Sequence, residues 1–209
     1  MKQYSNTADD QYTTIKGVAG SELRVKKSRF FGLATSVDAE QNVANFINDV
    51  RIEYPNATHY CYAFAIGSGT KRLVRSNDAG EPANSAGKPI LLAVESSGIN
   101  NIACVVVRYF GGIKLGIGGL IRAYGQTARD CLSNAETITR VQSVLLQIEM
   151  PYDCIGAVIN LINRLKGKIL NMNQAEKARI RVLIRSSAVL SLEESIRSIS
   201  GDIVISASK

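Results

Sequence analysis

The residues best suited to chemistry lie in one glycine-rich stretch, residues 108–125, which reads RYFGGIKLGIGGLIRAYG. It combines three cationic side chains with six glycines in eighteen residues. Backbone N–H groups at the start of a helix, together with nearby cations, favour the binding of negatively charged groups. The stretch therefore predicts a surface that binds an anion or a nucleic acid, formed by Arg108, Tyr109, Gly111, Gly112, Lys114, Gly118, Gly119 and Arg122, with Lys88 from an earlier segment.

Arg122 falls in the first turn of the expected helix, where a cation costs about 0.3–1 kcal/mol of helix stability. Local rules of this kind tend to be broken at functional sites, so the position of Arg122 favours an anionic partner. The stretch matches neither of two well-known phosphate-binding motifs. A P-loop would need lysine where Ile117 stands, and a dinucleotide-binding fingerprint would need glycine where Ile121 stands. The alternative is that the glycines serve only the close packing of a strand, a loop and a helix, while Arg122 extends to water.

A second group of candidates, His59, Asp78 and Glu81, could form a polar site. His59 is the only histidine, and the two carboxylates lie in the loop NDAGEP, residues 77–82. A nucleophile–base pair or a metal site requires further partners that the sequence does not offer. We therefore predict no catalytic residue, no metal and no cofactor, with His59 as a hydrogen-bonded structural residue.

Composition narrows the class of protein. The 209 residues carry a net charge of +7, which is compatible with an anionic partner such as RNA. The four cysteines lie in apolar stretches without a CxxC pair, a pattern typical of buried free thiols in the cytosol. The polar first residues and the lack of a long apolar run predict a cytoplasmic protein with no signal peptide and no membrane contact.

The elements that must position the glycine-rich stretch can be read from hydrophobic periodicity. Residues 101–110 form a nearly continuous apolar run, which predicts a strand covered on both faces. A helix is expected to begin at Gly119. Upstream, Val43, Phe46, Ile47 and Val50 recur at helical spacing, and residues 60–66 favour a strand.

The last seventy residues follow the order βαββαβ, which is a ferredoxin-like plan. Ser191 and Glu194 are spaced as a capping box for its second helix. We therefore divide the chain near residues 136–140 into two domains, 1–136 and 140–209.

The chain resembles the IMPACT family in three long segments, ATHYCYAFAIG (57–67), NDAGEPANSAGKPIL (77–91) and VVVRYFGGIKLGIGGLIRAYG (105–125), while KKSRF (26–30) matches a further segment of that family. The resemblance implies an α+β fold. Its N-terminal domain would be a β-α sandwich similar to domain four of elongation factor G, followed by a C-terminal ferredoxin-like domain. Eukaryotic relatives are regulators of translation that act through a protein partner.

Three hypotheses follow for the function. The first is a non-enzymatic, translation-associated protein that binds RNA or the ribosome through Arg108, Lys114 and Arg122. The second is an enzyme that acts on a small phosphorylated ligand, with His59, Asp78 or Glu81 as acid–base groups. The third is a module that binds a protein partner.

Overall fold

The computed structural model describes residues 10–67, 72–174 and 177–207. No helix in these ranges is long and apolar enough to cross a membrane. The helices are α1 (Glu40–Glu53), α2 (Gly87–Ser96), α3 (Ile117–Ser133), α4 (Ile155–Arg164) and α5 (Val189–Ile199). The strands are β1 (Gln11–Ile15), β2 (Val18–Val25), β3 (Ser28–Ser36), β4 (His59–Ile66), β5 (Leu73–Asn77), β6 (Ile102–Tyr109), β7 (Thr137–Val141), β8 (Ser143–Met150), β9 (Lys168–Gln174), β10 (Ala178–Arg185) and β11 (Val204–Ala207).

The contacts divide the chain into two compact units. Residues 13–139 form the N-terminal unit, and residues 140–207 form the C-terminal unit together with residues 10–12. The first nine residues of the predicted first domain lie outside the described part of the chain. We keep the sequence-based domains, 1–136 and 140–209, as a proposal about which segments fold independently.

The N-terminal unit is built on a five-stranded antiparallel sheet in the order β2-β3-β6-β4-β5. The central strand, β6, is buried on both faces, as its continuous apolar sequence predicts. Helix α1 covers one face, and helices α2 and α3 cover the other. The buried face of α1 consists of the four side chains expected from the sequence, Val43, Phe46, Ile47 and Val50.

The C-terminal unit has the predicted order βαββαβ, from β8 through α4, β9, β10 and α5 to β11. Its antiparallel sheet runs in the order β11-β8-β10-β9, which is the ferredoxin-like arrangement. Strand β10 alternates strictly between buried and exposed side chains because only one face of this sheet packs on the apolar core. The predicted fold class, α+β with a β-α sandwich and a ferredoxin-like domain, is confirmed.

Two helix starts differ from the sequence prediction. Helix α3 begins at Ile117, two residues before Gly119. Helix α5 begins at Val189 after a short 3-10 turn, so Ser191 and Glu194 lie inside the helix and do not cap it. In both cases the helix begins two residues before the residue that the sequence pattern indicates, and no side chain of its N-cap residue caps it.

All four cysteines, Cys61, Cys104, Cys131 and Cys154, are buried and unpaired. Burial raises the pKa of Cys61 to about 12, so this group remains a thiol at neutral pH. Its Sγ donates a hydrogen bond to the carbonyl oxygen of Asp78, at 3.0 Å.

Candidate nucleic-acid interface

Residues 110–116 form the glycine turn, which joins β6 to α3. The turn is anchored at its start, where Gly111 lies against the hairpin between β2 and β3. The N–H of Gly111 donates to Oγ of Ser28 at 3.2 Å, and a Cβ at this position would overlap the backbone of Lys27. Close packing therefore explains the glycine at position 111.

The other glycines of the motif do not share a single explanation. Gly112 and Gly116 have φ values of 82° and 70°, a backbone region that favours glycine. A Cβ at Gly119 would lie 3.0 Å from the Cβ of a neighbouring leucine, which leaves little room. Gly118 is different, because a Cβ there would meet only the tip of Arg122, at 3.7 Å. Neither packing nor backbone geometry requires glycine at position 118.

Five cationic side chains are exposed around this region. Lys114 lies in the glycine turn. Because α3 begins at Ile117, Arg122 lies in its second turn and not in the first as predicted, but its guanidinium lies beside Gly118 in the first turn. Lys26 and Lys27 form the tip of the hairpin that contacts Gly111, and Lys88 projects from α2. None of the five forms an ion pair within residues 10–67, 72–174 and 177–207. Sequence reasoning did not include the two hairpin lysines, although the segment KKSRF contains them.

Arg108 does not belong to this exposed group, which corrects the role predicted for it. Its side chain is only 6% exposed, and its Nη1 donates to Oε1 of Glu81 at 2.5 Å. The guanidinium lies between the rings of Phe30 and Phe110, with its central carbon 5.5 and 5.3 Å from their centroids. A buried, paired guanidinium of this kind belongs to the interior of the N-terminal unit and is not available to an external anion.

Glu81 is the centre of a buried polar cluster. The same oxygen that pairs with Arg108 also accepts a hydrogen bond from the hydroxyl of Tyr124, at 2.8 Å. Burial raises the pKa of Tyr124, so this hydroxyl remains protonated and can donate. His59 approaches the cluster with its Nε2 at 3.8 Å from the carboxylate, while its Nδ1 lies 2.9 Å from the carbonyl oxygen of Ala79.

Asp78 does not join His59 and Glu81, contrary to the polar site considered from the sequence. Its carboxylate accepts hydrogen bonds from the backbone N–H groups of Asn84, Ala86 and Gly87 at 2.8–2.9 Å, at the start of α2. Partial burial raises the pKa of Asp78, but the three N–H donors, Gly87 first among them, together hold it below its ordinary value. Asp78 therefore acts as the cap of α2.

Tyr109 is held on the opposite face of the sheet from Arg108. Its ring packs edge-on against Phe31, with centroids 6.0 Å apart, and its hydroxyl donates to the carbonyl oxygen of Pro55 at 3.0 Å. The ring is therefore engaged with the side of the sheet that α1 covers, rather than with the glycine turn. In the described part of the chain, no group of three or more acidic, cysteine or histidine side chains is placed to hold a metal ion.

Comparison with known proteins agrees with this architecture. The Impact N-terminal domain matches residues 26–132. An IMPACT family member of Haemophilus influenzae is 35% identical over 175 residues, which cover 83% of this chain and 84% of the relative. The IMPACT family member YigZ of Escherichia coli is 34% identical over 79% of this chain and 81% of its own length. A crystal structure described as a hypothetical protein superimposes with a TM-score of 0.72 at 29% identity, covering 97% of this chain and 99% of that one. With these matches in sequence and in fold, the chain belongs to the IMPACT family.

Proposed function

We propose that this protein is a cytoplasmic, translation-associated factor that binds RNA, as part of the ribosome or free, without catalysing a reaction. The observation that carries the proposal is a set of exposed cations that form no ion pair within the described ranges, namely Lys114 in the glycine turn, Arg122 on α3, Lys26 and Lys27 on the adjoining hairpin, and Lys88 on α2. We call these five side chains the cationic surface. Residues 96–129, which include the turn, contain no acidic side chain that would oppose an approaching phosphate.

The physical basis of binding is electrostatic. Lysine and arginine side chains that neutralise phosphates release counterions from the nucleic acid, and this release supplies most of the affinity that is independent of sequence. Backbone without side chains adds N–H groups that a phosphate can approach closely. The resemblance to eukaryotic regulators of translation supports a role in translation, whereas the RNA partner is proposed from the charges alone.

The buried polar cluster supports binding rather than catalysis. The carboxylate of Glu81 is held by Arg108 and Tyr124, and the carboxylate of Asp78 by three backbone N–H groups. An acid–base group must be able to reach a substrate proton. Both oxygens of Asp78 accept backbone N–H groups, and Glu81 is buried with its Oε1 held by Arg108 and Tyr124.

The direct test is the salt dependence of RNA affinity. Replacing Lys114 and Arg122 together by alanine should weaken binding to single-stranded RNA, measured by fluorescence anisotropy. The log–log slope of affinity against salt should become shallower by about 1.4 if each side chain contacts one phosphate.

A matched control removes the same charge elsewhere. The double variant Arg164→Ala/Arg197→Ala replaces two exposed arginines in the last turns of α4 and α5. It should leave both the affinity and the slope close to those of the wild type. Equal losses in the two double variants, or a slope near zero in the wild type, would contradict the proposal.

Gly118 provides a second test because the fold does not require a glycine there. Gly118→Ala should increase the free energy of unfolding by up to about 1 kcal/mol, since alanine is the better helix former. The same change should weaken RNA binding if a phosphate approaches this backbone. Urea unfolding and anisotropy on one protein sample measure both effects, and unchanged affinity would show that the ligand does not approach α3 at this point.

A further inference from the structure

A groove with a volume of about 380 Å³ lies between α2 and α3, on the outer surface of the N-terminal unit. Its floor includes Pro89 and Gly125. A Cβ at Gly125 would lie 3.1 Å from Nη1 of Arg129 and 3.6 Å from the Cβ of Pro89, so the absence of a side chain there leaves room for the Arg129 guanidinium. Leu92 and Ile121 line the groove and remain 57% and 42% exposed.

The exposed apolar surface continues beyond the groove. Ile117, one helical turn before Ile121 on α3, is 59% exposed. Large aliphatic side chains that stay exposed as a contiguous set indicate a surface that another molecule covers. The described residues that line the groove are apolar or basic apart from Asn84, and none of them has an aromatic ring, so the groove lacks the stacking platform that single-stranded nucleic acids use.

The charge around the groove favours an acidic occupant. Lys88 and Arg129 are exposed along its margin, and neither forms an ion pair in the part of the chain that the structure describes. The Arg129 guanidinium lies over Gly125 and donates to the side-chain oxygen of Gln126 at 2.9 Å. None of the residues that line the groove is acidic.

We propose that the groove between α2 and α3 binds an amphipathic, acidic helical segment of a partner protein. One or two large apolar side chains of that segment would enter between Leu92 and Ile121. Carboxylates on either side of them would pair with Lys88 and Arg129. A helix that lays its apolar face in a groove is a recurring mode of peptide recognition, and its anchors repeat every three or four residues.

The experiment selects short random peptides by display on the full chain and then measures the affinity of the enriched peptides by fluorescence anisotropy. We expect the enriched sequences to combine Leu, Ile or Phe at helical spacing with several Asp or Glu. The double variant Leu92→Ser/Ile121→Ser should weaken their binding by at least about tenfold. The control Val18→Ser/Ile52→Ser truncates two side chains that are more exposed than Leu92 and Ile121, at 62% and 78%, and should bind the peptides normally.

Charge reversal provides an independent measurement. In Lys88→Glu/Arg129→Glu the acidic peptides should lose binding, and the same peptides with lysine in place of each acidic residue should gain it. RNA affinity in Leu92→Ser/Ile121→Ser should be unchanged, because neither side chain belongs to the cationic surface. Lys88 belongs to both surfaces, so this apolar variant, and not the charge reversal, distinguishes peptide binding from RNA binding. Three results would each overturn the proposal. The first is enrichment of basic peptides, and the second is failure to enrich any peptide whose binding the groove variants weaken. The third is self-association of the protein that Leu92→Ser/Ile121→Ser abolishes.

Discussion

Replacing Glu81 by alanine is expected to lower the free energy of unfolding of the N-terminal unit by about 3–5 kcal/mol, because it leaves a buried guanidinium without its partner. The Arg108 side chain is only 6% exposed, so water cannot easily replace the lost carboxylate. The hydroxyl of Tyr124 loses its acceptor in the same step. Urea unfolding followed by tyrosine fluorescence measures the effect, since five of the eight tyrosines lie in residues 13–139.

Two comparisons make the measurement specific. Glu136→Ala removes the carboxylate of an exposed ion pair with Lys16, and it should cost less than about 1 kcal/mol. Glu81→Leu/Arg108→Met should recover most of the lost stability, because apolar side chains can replace a buried pair at little cost. If Glu81→Ala costs no more than Glu136→Ala, the pair is not buried as described.

Asp78→Ala should destabilise the same unit by about 2 kcal/mol at neutral pH, because three N–H groups at the start of α2 lose a charged acceptor. The effect should depend on pH with a definite sign. The pKa of Asp78 in the folded protein is lower than its ordinary value of 3.8, so the ionised form stabilises the fold. This contribution is complete above about pH 5 and is lost as the pH falls through the folded-state pKa.

The measurement is the difference in unfolding free energy between the wild type and Asp78→Ala from neutral to acidic pH. That difference should be constant near neutrality and shrink on acidification. Asp49→Ala serves as the control because Asp49 is exposed on α1 and forms no ion pair in the described ranges. A difference that grows as the pH falls would show that the carboxyl group of Asp78 does not act as an ionised cap.

Hydrophobic periodicity was sufficient to predict the framework that holds the candidate site. The apolar run of β6 and the helical repeat of α1 each depend on burial alone, which a single sequence reveals. The same alternation could have placed Arg108 correctly. It lies two and four residues after Val106 and Cys104, on the strand face that both of these buried side chains share.

The roles of the polar residues were harder to predict because they depend on contacts between distant segments. Asp78 caps a helix that begins nine residues later, whereas the local capping rules extend over only a few residues. Glu81 and Tyr124 are separated by 43 positions and meet only through the tertiary fold. The capping-box spacing of Ser191 and Glu194 shows the opposite case, a local signal that the fold does not use.

The segment between β5 and α2 resembles an ordinary surface loop in sequence, yet Glu81 ties it to β6 and α3 from within the core. It cannot open without exposing a charged pair, so the buried amide protons of Ala86 and Gly87, which hydrogen-bond to Asp78, should exchange with solvent only when the whole sheet opens. The end of a stretch rich in turn residues would then rank among the slowest-exchanging parts of the N-terminal unit. Proteases that attack flexible connections should correspondingly cleave elsewhere.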